Sequence, residues 1–253
     1  MTILVKKDQI NPEIAILTLN RPEKRNALNA DLLNQLMEHL ELLERNHQVK
    51  VVIIDAEGID FCSGGDTSNM KRHLDVFKGN AWNISDNYKY SFQGLTKLLS
   101  ELSFFTIAKL HGQSVGAGLG IGISCDFRIA ADTAILRPGF LSIGLIPGDG
   151  SLWKLTKMIG PAKVNELLFI KQEITAKEAK SWGLVSEYCE QDQLAERTFD
   201  LANQLCKLGR EVIHSYKISQ RASVSMSLDD YLLLIRQLQS QLHFTDFHQK
   251  SLR

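Results

Sequence analysis

Residues 111–126 read His-Gly-Gln-Ser-Val-Gly-Ala-Gly-Leu-Gly-Ile-Gly-Ile-Ser-Cys-Asp, with glycine at the alternate positions Gly116, Gly118, Gly120 and Gly122. If this stretch opens a helix, each glycine costs about 1 kcal/mol relative to alanine, so a close approach of backbone to something else has to offset the loss. The spacing is not G-x-G-x-x-G, because Ile121 and Ile123 stand where the last glycine would fall. That counts against a dinucleotide-binding turn. Working outward, Phe105 to Leu110 and Asp126 to Ala130 flank the glycine-rich run as short β-branched or aromatic segments, and a helix is expected around Tyr90 to Leu102. Further upstream, Ile14 to Leu19 and Val51 to Asp55 read as strands. Between them Leu33, Leu36, Met37, Leu40 and Leu43 recur at helical spacing over Ala30 to Asn46, with Asn29 as the N-cap. Strand, crossover helix and strand in alternation predict α/β architecture.

After Pro147 the strand signals stop. Ser151 to Met158, Pro161 to Ile170, Thr175 to Trp182, Asp192 to Leu208, Arg210 to Arg221 and Leu228 to Leu242 read as helices, with Pro161 in a first turn and Gly183 and Gly209 at C-termini. The expected division is an α/β core over residues 1–190 and a helical region over 191–253. Asn69 to Asn87 is polar and reads as a loop.

The 253 residues are 44% hydrophobic and 23% charged, enough to bury a large core. Lys and Arg number 29 and Asp and Glu number 29, so there is no overall field for nucleic acid or an anionic membrane, and an anionic ligand has to be held by a local patch. Cys62, Cys125, Cys189 and Cys206 form no CxxC pair and no metal-like spacing with histidine, so reduced thiols and no metal are expected. Without a leader-like segment at the start or an apolar run of about 18 residues, the reading is a soluble, cytoplasmic protein.

Two further segments carry chemistry. Asn20-Arg21-Pro22-Glu23-Lys24-Arg25-Asn26-Ala27-Leu28-Asn29 places three cations within five residues between a strand and a helix. It reads either as a solvated turn with a cap or as a phosphate site with Arg21, Lys24 and Arg25 as donors. Phe61-Cys62-Ser63-Gly64-Gly65-Asp66 also follows a strand, and its glycines let the backbone approach a ligand and turn an amide inward; Gly-Gly-Asp is equally a common turn.

In order and separation these segments resemble the crotonase (enoyl-CoA hydratase/isomerase) superfamily. Residues 20–29 are similar to N-R-P-x-x-x-N-A-L, 61–66 to F-C-A-G-A-D, 112–126 to G-x-A-x-G-G-G-x-E-L-A-x-x-C-D and 144–150 to G-L-x-P-G-x-G. Thr175 to Ala179 and Trp182 to Val185 resemble T-A-x-E-A and G-L-V. The resemblance implies a spiral of ββα units with a helical trimerisation region, a homotrimer or homohexamer, and an acyl-CoA substrate. It implies no permanently bound cofactor, coenzyme A being part of the substrate. It also implies that the amides of Gly65 and Ala117 stabilise an enolate oxygen. Arg21, Lys24, Arg25, Ala27, Ser63 and Asp66 would then help to hold the CoA portion.

The family's two hydratase glutamates match Gly120 and Phe140. A paired-carboxylate hydration mechanism is therefore not expected, whereas a double-bond isomerase needs only one proton carrier. Asp149, two residues after Pro147, is the candidate. Its other reading is a helix cap with a lowered pKa. Tyr88, Tyr90, His73, His111, His243 and His248 are further titratable groups. Other reactions of the same enolate (hydration, decarboxylation, thioester hydrolysis) and a catalytically silent acyl-CoA-binding protein are the alternatives to an isomerase.

Overall fold

The computed structural model describes residues 2–8 and 10–252. Among the described residues nine strands occur in chain order: β1 (Ile3–Lys7), β2 (Ile14–Leu19), β3 (Val51–Ala56), β4 (Phe105–Leu110), β5 (Gln113–Val115), β6 (Phe127–Ala131), β7 (Ile135–Arg137), β8 (Ile174–Thr175) and β9 (Glu187–Cys189). Six of them build one sheet in the order β1-β2-β3-β4-β6-β9, and β5-β7-β8 build a second. In the large sheet only β1 runs antiparallel to its neighbour. A short connection joins β1 to β2, whereas β2 reaches β3 through α1 (Ala30–Glu44), the crossover that parallel neighbours require.

Both faces of the sheet are covered, which is why its strands read as nearly continuous apolar runs. On one face Leu17, Leu19, Val52, Ile54, Ala108 and Leu110 pack with Leu32, Leu36 and Leu40 of α1. Leu119, Ile121 and Ile123 join the same cluster. The alternate residues Val51, Ile53, Phe105, Ile107 and Ile129 face Leu194, Ala202, Cys206 and Ile213, so helices from the C-terminal part close the other side. The sequence boundaries of β2, β4 and α1 agree with expectation to within two residues, and the Asn29 side chain caps α1 by accepting from the Leu32 amide at 2.9 Å.

Three readings are corrected. Strands do continue after Pro147: β8 and β9 are two and three residues long, too short to show alternation. Residues 69–87 are not a loop, since α2 (Thr67–Lys71) and α3 (Ala81–Tyr90) occupy most of them and Asn80 forms a capping box with Asn83. Gly209 is the N-cap of a helix and not its C-terminus, although Gly183 at φ 78° does end one.

The remaining α-helices among the described residues are α4 (Phe92–Glu101), α5 (Ala117–Ser124), α6 (Ser151–Asn165), α7 (Ala176–Ser181), α8 (Leu194–Cys206), α9 (Arg210–Ser223), α10 (Leu228–Leu242) and α11 (Asp246–Ser251). Gly160 breaks α6 at φ 76°, ψ 161°, and Pro161 opens its second segment as a first-turn proline. Among the described residues no helix is long and apolar enough to cross a membrane. The thiols of Cys62 and Cys125 are buried and pushed up to about 12 by desolvation, so they are inert packing groups.

Candidate active site

Two backbone segments meet at the site because the sheet continues past its own strands. After β3, the Phe61 amide donates to His111 O at 2.9 Å, the Cys62 amide to Gln113 O at 3.1 Å, and the Val115 amide back to Cys62 O at 2.9 Å. Residues 61–66 thus run beside β5. Gly64 fits only as glycine: its φ is 88° and a Cβ there would lie 2.7 Å from Val115 O. On its other side the Leu28 amide donates to Gly64 O at 2.7 Å and the Asp66 amide donates to Leu28 O at 3.0 Å. In an extended chain that pairing turns the intervening Gly65 N–H the opposite way, toward the cavity it lines.

Ala117 opens α5, and an N–H in the first turn of a helix has no intrahelical acceptor. Gly116, at φ 53°, turns the chain into that helix while its own amide donates to Arg137 O at 2.9 Å. The alternate glycines of α5 answer to close contacts, as the sequence required. A Cβ on Gly118 would meet Cys62 O at 2.5 Å, and one on Gly120 would meet Asp149 Oδ2 at 1.9 Å.

Gly65, Ala117 and Asp149 line one cavity of about 270 Å³ with Met70, Tyr88, Phe92, Phe140, Ile143 and Leu145. Asp149 is its only carboxylate among the described residues. The side chain does two things at once. Oδ1 accepts from the Ser151 amide at 3.1 Å and the Ser151 hydroxyl at 2.7 Å, binding the first turn of α6. Oδ2 is buried with no hydrogen-bond partner. Burial raises the Asp149 pKa above the ordinary carboxylate value, against the opposing effect of the Ser151 bonds, so the lowered pKa expected of a pure cap is not what this environment produces. Asp149 also fills the space that a side chain at position 120 would need. Phe140 lines the same cavity.

The cation loop is built around Asn26. Arg25 and Asn26 are left-handed at φ 52° and 55°, and the Asn26 side chain donates to Glu57 O at 2.9 Å and Asp60 O at 3.0 Å while accepting from the Arg21 amide at 2.8 Å. Asparagine tolerates that conformation and supplies both kinds of bond. The three cations then separate. Arg21 is largely buried, donating to Ala27 O and lying 3.4 Å from Asp66, so it braces the loop. Asp66 is the N-cap of α2, accepting from Ser68 and Asn69 amides. Arg25 pairs with Asp60 at 2.5 Å but leaves half its side chain exposed. Lys24 is exposed. Ser63 lines the cavity. Ala27 is buried.

Of the other titratable candidates only Tyr88 reaches the cavity; burial, and then the Asp149 charge, raise its pKa. His111 is buried with Nε2 3.1 Å from Gly58 O, and His243 and His248 contact each other at 3.2 Å on the surface. Tyr88, Phe77 and Phe92 form an aromatic cluster against the site that sequence reasoning did not assemble.

The Enoyl-CoA hydratase/isomerase family profile matches residues 9–253, and the chain belongs to that family of acyl-CoA enzymes. A short-chain-enoyl-CoA hydratase of Clostridium acetobutylicum is 31% identical over 194 residues, 76% of this chain and 72% of that protein. A trans-2-decenoyl-acyl-carrier-protein isomerase of Streptococcus mutans is 27% identical over 250 residues, 95% of this chain and 90% of that protein. A structure from Thermobifida fusca YX in complex with CoA, described as an enoyl-CoA hydratase, superposes with a TM-score of 0.85 at 25% identity, covering 95% and 92% of the two chains.

Proposed function

We propose that this enzyme is an enoyl-CoA isomerase, shifting a double bond in an acyl-CoA thioester. The amides of Gly65 and Ala117 hold the thioester oxygen and Asp149 carries the proton. The observation that supports this reading is the unpartnered Oδ2 of Asp149, the one carboxylate among the described residues lining a mostly apolar cavity that Gly65 and Ala117 also line. Removing a proton beside the thioester puts negative charge on the carbonyl oxygen, where two fixed donors stabilise it. Asp149 takes the proton from one carbon and returns it two carbons along. A carboxylate whose pKa is raised by burial is better matched to that transfer than an exposed one. Hydration needs a second group to handle water, and position 140 offers only a phenyl ring.

Lys24 and Arg25, at the mouth of the loop, suit the CoA phosphates, with Arg21 and Asp66 holding the loop in shape. The exposed Leu228, Leu232 and Leu233 of α10 support self-association, in line with a trimer. The test is Asp149→Asn, which keeps the Oδ1 acceptor toward Ser151 and removes the base. We expect an unchanged melting temperature or a higher one, retained CoA-ester binding, and a loss of at least about 100-fold in isomerisation of a 3-enoyl-CoA. A folded variant with full activity would remove Asp149 from the mechanism, and Tyr88 would be next to test.

A further inference from the structure

On the far side of α6 lies a cavity of about 540 Å³, twice the volume of the acyl cavity and sharing no residue with it. It is walled by the end of α5 (Ser124, Cys125), by α6 and by α9. Arg128, Lys154, Lys157, Lys217 and Arg221 line it, against Asp126 as its one carboxylate among the described residues. Asp126 is already engaged, accepting from Lys217 Nζ at 2.7 Å and from the Thr106 amide at 2.8 Å and hydroxyl at 2.9 Å. Arg128 donates to the carbonyls of Leu184, Gly122 and Cys125 at 2.5, 3.2 and 2.6 Å. Carbonyl oxygens satisfy its hydrogens and leave its charge in place.

The end of a helix favours nearby cations, and that accounts for Arg128. It does not account for the others. Lys154 donates to the Ser100 hydroxyl at 2.8 Å and forms no ion pair among the described residues, Asp126 acting on it only from a distance. Lys157 sits 4.4 Å from the centre of the exposed Trp153 ring, and Arg221 donates to Ser100 O. The second observation is the Ser124 hydroxyl. Ser124 is 5% exposed, lines this cavity and has no hydrogen-bond partner for Oγ. An unpartnered buried hydroxyl in a polar recess calls for a partner.

We propose that this cavity is a second anion site that takes a small oligophosphate, with Lys154, Lys157 and Arg221 as its donors. Phosphate oxygens accept from several donors at once, and two linked phosphates match a recess this wide better than a single carboxylate. The inference does not depend on the isomerase reading, and it is separate from the Lys24 and Arg25 loop.

Titration calorimetry with inorganic pyrophosphate at low salt, with sodium sulfate at equal ionic strength as the comparison, tests it. Saturable pyrophosphate binding is expected, weakened at least about tenfold in Lys154→Ala/Lys157→Ala and in Arg221→Gln. Saturable binding persists in Lys24→Ala/Arg25→Ala, which removes the phosphate donors proposed for the CoA loop, so that the remaining heat reports this cavity. Each variant is checked by its melting curve, and Arg221, exposed on α9, provides a change that leaves the core untouched. No saturable heat overturns the proposal. So does affinity unchanged in the cavity variants, affinity lost in the loop variant, or sulfate binding as tightly as pyrophosphate.

Discussion

Gly120→Ala is the sharpest perturbation of the site, because helix stability and catalysis should respond in opposite senses. Gly120 lies within α5, where alanine is favoured over glycine by about 1 kcal/mol. The added Cβ would fall 1.9 Å from Asp149 Oδ2, while ordinary contact begins near 3.4 Å, so the carboxyl has to retreat by about 1.5 Å. It cannot simply swing away, because Oδ1 is tied to Ser151 by two bonds. A misplacement of about 1 Å costs on the order of 100-fold in rate, or about 2.7 kcal/mol of barrier. The assay is kcat for conversion of a 3-enoyl-CoA to its 2-enoyl isomer, followed by chromatography of the CoA esters, beside thermal melting. Gly122→Ala is the control: its Cβ would lie 3.3 Å from the end of the flexible Leu110 side chain and should cost no more than a few-fold. Folded Gly120→Ala with at least about half the wild-type kcat would refute the reasoning that ties rate to the Asp149 position.

Other expectations follow from the same geometry. kcat/KM should rise with pH through an ionisation above the usual carboxylate range and lose that limb in Asp149→Asn, as a pH profile will show. The raised pKa also fixes a stability trend. The folded state holds the Asp149 proton more tightly than the unfolded state, so this group's contribution is most favourable below its unfolded pKa and is lost as pH rises through the folded one. Melting of wild type minus Asp149→Asn should follow that direction. Ala117→Pro deletes one proposed oxyanion donor and should cost at least about 100-fold in kcat, provided circular dichroism shows it folded. Lys24→Ala/Arg25→Ala should weaken CoA binding about tenfold by calorimetry with little change in melting. Light scattering should give three times the chain mass, reduced by Leu232→Glu/Leu233→Glu on α10.

Much of the architecture was legible because its signals are local. The alternating apolar faces of β2 to β4, the Asn29 cap and the stripe on α1 each lie within one stretch of chain. β8 and β9 were not legible, being shorter than the period that would reveal them. The site divides in the same way. Gly65 and Ala117 sit in recognisable turns, but the contact between Gly120 and Asp149 joins residues 29 positions apart through the packing of two helices. No spacing rule predicts that. Nor does the sequence separate Arg21, which is consumed inside the loop, from Lys24, three residues on and exposed. That difference arises only when Asn26 folds the loop back on residues 57–60.

In the proposed mechanism the acid and the oxyanion donors belong to different pieces of the chain. The proposed donors are main-chain groups at the head of α5 and after β3, whereas the carboxylate stands in the turn just before α6. Such a division makes the site modular. Substitutions around residues 147–151 can retune or relocate proton transfer while the anion-stabilising half stays untouched, and side-chain drift elsewhere leaves the amides in place. Directed evolution confined to that one turn should therefore reach new reactions on the same thioester sooner than randomisation of the glycine-rich helix, where nearly every added atom collides with a neighbour.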